Sequence, residues 1–135
     1  MSKEQEMQER MQEMQQMQQH LEQLQEQRQM VEQQLEDLAM SSNGLEEFEK
    51  LSKGDEVLFP VSNGIFAKAT LQNPQKLLVN IGAQAIVDKT PEQAKKILQD
   101  QLTELQELHQ KIVGRLQAFM VQAQALDQQL QGMAK

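Results

Sequence analysis

The chain has 135 residues, a net charge of −7, no Cys, Trp or Tyr, only 3% aromatic side chains and 24% charged ones. One domain is the expectation by length. An acidic chain poor in aromatics lacks the phosphate-neutralising charge and stacking platforms of a nucleic-acid binder. The absence of Cys excludes disulfides and thiolate metal sites.

The first element is a long helix. Thirteen of the first 34 residues are Gln, a bias that in isolation suggests disorder, but the apolar spacing argues for order. Heptad a positions fall on Met7, Met14, Leu21, Arg28 and Leu35, and d positions on Arg10, Met17, Leu24, Val31 and Leu38. Eight of the ten are apolar, which marks a coiled-coil seam. Arg10 and Arg28 read as register-setting polar residues on that seam. Leu45 keeps the phase beyond Ser41-Ser42-Asn43-Gly44, a weak point through which helix resumes or continues to about Lys50. Lys53-Gly54-Asp55 ends the arm.

Four short strands follow. Glu56 to Val61 and Ile65 to Leu71 flank a turn at Ser62-Asn63-Gly64. Leu77 to Ile81 and Ala85 to Asp88 flank a second at Gly82-Ala83. Asn73-Pro74 joins the two hairpins. Pro60 cannot donate to a ladder, so its strand is an edge or starts there. Several strands are apolar on both faces, and isolated hairpins are marginal in water. The head is therefore expected to oligomerise through Val57, Phe59, Ile65, Phe66, Leu77, Val79 and Ile81.

The last element is a second long helix. Thr90, Pro91 and Gln93 form a capping box with proline at the first helical position. Its d positions are Leu98, Leu105, Ile112, Phe119, Leu126 and Met133, and its a positions Leu102, His109, Leu116, Ala123 and Leu130. Each arm spans about 40 residues, or roughly 60 Å. Equal lengths suit a helix folding back on its partner. Residues 1–56 carry a balance of −9 and residues 57–135 one of +2, which steers the arms together more than it stabilises them.

The expected fold is thus α+β, mainly α. A long antiparallel coiled-coil hairpin carries two β-hairpins at its connecting head. Residues 1–53 form the N-terminal arm, 54–89 the oligomerisation head and 90–135 the C-terminal arm. No stretch approaches the roughly 20 apolar residues of a membrane span, and the N-terminus lacks an apolar signal region. Cytoplasmic residence is the default.

No catalytic or cofactor site is expected. His20 and His109 sit at different helical phases with no third ligand at metal-binding spacing. The six glycines stand singly, not in a phosphate loop. Met7, Met11, Met14 and Met17 crowd the outer first arm, and Met133 lies near the end of the second. They are open to three readings: seam packing, an adaptable surface for varied apolar partners, or Cu(I) binding by thioethers, for which no Cys or placed His speaks.

The segment Gly54-Asp55-Glu56-Val57-Leu58-Phe59-Pro60-Val61-Ser62-Asn63-Gly64-Ile65-Phe66 resembles the prefoldin α-class subunits. So does Val79-Asn80-Ile81-Gly82-Ala83 leading into Val87-Asp88-Lys89-Thr90-Pro91-Glu92-Gln93-Ala94. The resemblance implies two α-type chains assembling with four β-class chains through a barrel-like platform. It implies a holdase that captures unfolded proteins at the coiled-coil tips and passes them to a group II chaperonin without ATP or other cofactor. The client contacts would be Met7, Met11, Met14, Met17, Leu126, Leu130 and Met133. A structural adaptor or tether binding one defined partner is the alternative.

Overall fold

The computed structural model describes residues 2–134. Helix α1 runs Lys3–Glu49, strands β1 to β4 are Glu56–Ser62, Ile65–Thr70, Leu77–Gly82 and Ala85–Lys89, and helix α2 runs Pro91–Ala134. The fold is α+β and mainly α: an antiparallel helical hairpin whose connecting segment carries two β-hairpins. It divides into two compact units, Met1–Leu35 with Glu104–Lys135, and Glu36–Thr103.

In the first unit the heptad pattern is realised as burial. Leu24, Val31, Ile112 and Leu116 form the core, flanked by Leu21, Leu35, Leu105 and Phe119. Every one of these is an a or d residue. The His20 ring stacks on Phe119 at 5.4 Å, and Glu32 meets His109 at 3.1 Å. The numbers in these pairs add to 139 and 141, so one helix ascends as the other descends and the register is fixed near 140. The unit holds no buried polar residue among those described. Arg28, on the seam, is the nearest to one. Its Nε is shielded from solvent without a hydrogen-bond partner and reaches Glu32 Oε1 only at 3.7 Å, too far for a hydrogen bond.

In the second unit α1 continues without a break through Ser41-Ser42-Asn43-Gly44. Ser41 Oγ donates to the Asp37 carbonyl at 3.0 Å, so its hydroxyl is satisfied within the helix and offers no alternative turn. Ser42 and Leu45 are half-buried and keep the heptad phase. Gly44 has no positive φ. Extending a helix already formed adds a hydrogen bond per residue without a new nucleus, and this outweighs the turn propensity of the four residues.

The chain leaves α1 through a turn in which the Ser52 N–H donates to Asp55 Oδ2 at 2.8 Å. Gly54, at φ 92°, donates its N–H to the Leu71 carbonyl at 2.8 Å, which closes the base of the first hairpin. β1 and β2 pair antiparallel, with Phe59 opposite Ala67 and a register shift between Pro60 and Ser62. Pro60 is thus inside its strand, tolerated because the sheet has two strands only and the bulge follows directly. β3 and β4 pair separately, with Val79 opposite Val87.

The second turn differs from the expectation. Gly82 is the last residue of β3, and the two turn residues are Ala83 at φ 51° and Gln84 at φ 63°. Both central residues are left-handed, as a type I′ turn requires, although neither is the Gly or Asn that such a turn favours. α2 begins as its capping residues dictate. The Thr90 N–H donates to Gln93 Oε1 at 3.1 Å, and the Gln93 N–H donates to Thr90 Oγ1 at 3.2 Å.

Candidate functional site

The two faces of β3 have different fates. Leu77 and Val79 point toward the helices and help line an open groove of about 500 Å³ with Leu45, Phe48, Ala94 and Ile97. Alternation then sends Leu78 outward, where it is 72% exposed, and across the ladder Ile86 is 64% exposed. In the first hairpin Val57 is half-buried, while Leu58, Phe59, Val61, Ile65 and Phe66 are all exposed. Ile81 is exposed as well.

Of the seven residues expected to form a subunit interface, Phe59, Ile65, Phe66 and Ile81 lie uncovered, and Val57, Leu77 and Val79 are partly covered within the chain. Sequence reasoning missed Leu58, Val61, Leu78 and Ile86 as interface candidates. For Leu58, Leu78 and Ile86 the available signal was the period of two: once one face of a strand is assigned to the helices, the other must face outward. Scattered apolar residues on a surface are ordinary, but five large exposed apolar side chains on one two-stranded sheet mark an interaction surface. Covering each such side chain contributes about 1.5–3 kcal/mol.

The arm ends are arranged differently. Met7, Met14, Met17, Leu130 and Met133 are half-buried on the seam. Met11 is 55% exposed. Leu126, expected among the exposed tip contacts, is 6% exposed; as a d residue it is taken up by the seam. Met30, Met40, Met120 and Val121 are exposed on the outer helix faces, where the heptad pattern places no seam residue. The start of α1 carries a second capping box that sequence reasoning passed over. The Ser2 N–H donates to Gln5 Oε1 at 3.3 Å, and the Gln5 N–H donates to Ser2 Oγ at 3.2 Å. The Ser-x-x-Gln spacing is its visible signal.

Charged side chains meet in pairs at the surface. Lys95 Nζ lies 2.8 Å from Glu49 Oε1, and this hydrogen bond holds the Lys95 ammonium above its ordinary range. Among the described residues no group of three His, Asp or Glu side chains is placed to hold a metal ion, and no helix is long and apolar enough to cross a membrane.

Fold and surfaces together define a class: helical-hairpin proteins whose connecting segment presents an uncovered apolar β face. The family model described as Prefoldin subunit matches residues 17–135. The chain belongs to that family, and its relatives place it in the α class. It is 29% identical over 75 residues to prefoldin subunit alpha of Archaeoglobus fulgidus, covering 56% of this chain and 55% of that one. To the Methanoregula boonei subunit alpha it is 32% identical over 75 residues, covering 56% and 49%. To that of Thermofilum pendens it is 28% identical over 74 residues, covering 55% and 57%. The match thus spans about half the length of these curated relatives. A chain of filamentous PFD from Methanocaldococcus jannaschii, solved by cryo-EM, superposes with a TM-score of 0.74 at 18% identity, covering 84% of this chain and 93% of that one. That likeness concerns the fold.

Proposed function

We propose that this chain is the α-type subunit of a hetero-oligomeric, ATP-independent holdase of the cytoplasm. Two such chains join four β-class subunits through the β head. The arms hold unfolded proteins and deliver them to a group II chaperonin. No catalytic group or cofactor takes part.

One observation carries the reading: the head leaves Leu58, Phe59, Ile65, Phe66, Leu78 and Ile86 uncovered although the arm seam is already closed within the chain. The unmet apolar surface therefore belongs to assembly. Capture would be weak at each contact and strong in sum, because linked modest sites gain avidity.

The test has two parts. The mass of the chain is measured alone and with a β-class subunit, and a hetero-oligomer is expected. The complex is then compared with one lacking residues 1–14 and 126–135, which shortens both arms together. The truncated complex is expected to assemble yet lose most of its suppression of aggregation of an unfolded test protein. Undiminished suppression would move client contact away from the tips. Failure to assemble with any β-class chain would favour the tether reading.

A further inference from the structure

The seam changes character along the first unit. Its inner part is Leu24, Val31, Ile112 and Leu116, all buried. Its outer part is rich in thioethers. The register near 140, set by His20 with Phe119 and Glu32 with His109, brings Met7 level with Met133, Met14 with Leu126 and Met17 with Ala123. Met7, Met14, Met17 and Met133 are half-buried: close enough to solvent for a small oxidant, and close enough to the seam for polarity to matter. Arg10, level with Leu130, already weakens this stretch; it pairs with Glu13 on its own helix, at 3.4 Å.

We infer that the outer seam is an oxidation site, in which peroxide-class oxidants convert Met7, Met14, Met17 and Met133 to sulfoxides and so part the arm ends. The step balances. A sulfur lone pair attacks one peroxide oxygen, the S–O bond forms as the O–O bond breaks, the sulfur loses two electrons, and the second oxygen leaves as water after proton transfer. Each product is a polar, chiral side chain on a surface that was apolar. Burying its S=O without a donor is unfavourable, and the inner seam offers no comparable group. The arm therefore parts from its end and holds at Val31 and Ile112. Parting bares Leu126, which is 6% exposed with the seam closed. Met11, Met30, Met40 and Met120 are exposed off the seam, so their oxidation leaves the arm closed.

The test uses the full chain treated with hydrogen peroxide, with peptide mass reporting the oxygen gained at each methionine. Amide exchange over residues 14–24 and 116–126 is expected to quicken roughly tenfold, as a local opening would make it. Methionine sulfoxide reductases with a thiol reductant should restore the slow rate. The variant M7L/M14L/M17L/M133L should keep slow exchange under peroxide although its outer-face methionines oxidise. The variant M30L/M40L/M120L should respond as the natural chain does. The inference is overturned if seam methionines stay unoxidised while Met11 oxidises fully, if their oxidation leaves exchange unchanged, or if the four-leucine variant opens as readily.

Discussion

His109 Nε2 lies 3.1 Å from Glu32 Oε1, across 77 residues of sequence. A carboxylate only accepts, so Nε2 carries the hydrogen of this contact. The same Glu32 oxygen is the one nearest Arg28 Nε. One exposed glutamate on α1 thus gathers the two polar side chains that interrupt the a positions of the two helices, which explains how a seam with both Arg28 and His109 stays closed.

Replacing either interruption by leucine is expected to stabilise the arm while loosening its register. Arg28→Leu removes a shielded Nε without a hydrogen-bond partner, and His109→Leu adds an apolar a residue. Arg28→Leu should raise stability by about 1 kcal/mol, the order of an unmet buried polar group, and His109→Leu by less, because it also gives up the contact with Glu32. Circular dichroism melts measure the gain. A drop in melting temperature for Arg28→Leu would mean that its link to Glu32 outweighs its burial.

Three backbone positions are tuned below their best residue. Gly44 sits in mid-helix, and an added Cβ would meet nothing within 4 Å. Gly44→Ala should stabilise by about 0.5–1 kcal/mol. Ala83 and Gln84 hold left-handed backbone. The pair Ala83→Asn with Gln84→Gly should relieve about 1–2 kcal/mol in the second hairpin, visible as slower amide exchange in β3 and β4. Gly64→Ala, by contrast, should destabilise, because φ there is 76°.

The Lys95–Glu49 pair should give a pH-dependent contribution. The Lys95 pKa is raised above its ordinary 10.5 by the hydrogen bond to Glu49. A raised folded pKa means that the stabilisation is fully present below the unfolded value and is lost as pH rises through the folded one. The melting difference between the natural chain and Lys95→Met should therefore be constant at neutral pH and vanish in the alkaline range above 10.5. Salt should shrink it too, since the pair is solvent-exposed.

Within the head, substitutions on the two faces should act differently. Phe66→Asp and Ile86→Asp place charge on uncovered surface, so the isolated chain should melt normally while the proposed hetero-oligomer is lost. Val79→Asp places charge in the groove against the helices, so the isolated chain should be destabilised as well. Mass measurement and thermal melts of the three variants separate these outcomes.

What the amino-acid order determined by itself is what depends on local periodicity and local hydrogen bonding. The 3-4 spacing from Met7 to Leu45 and from Leu98 to Met133 marks which stripe of each helix is covered. Thr90, Pro91 and Gln93 start α2 because a hydroxyl, a fixed φ and an amide satisfy the helix end within four residues. The two hairpins are legible from apolar runs that flank turn residues at Asn63-Gly64 and Gly82. Tertiary structure decided the rest. Continuation of α1 through Ser41–Gly44 depends on cooperative propagation from the helix before it, which a four-residue window does not contain. The register near 140 depends on side chains that meet across the hairpin, such as Glu32 with His109. The placing of Leu77 and Val79 inward and Leu78 and Ile86 outward needed the helices in position, since a strand that is apolar on both faces carries no signal of which face its own chain will cover. Leu126 shows the same limit: a d residue near a helix end reads as a free tip contact until the partner helix closes over it.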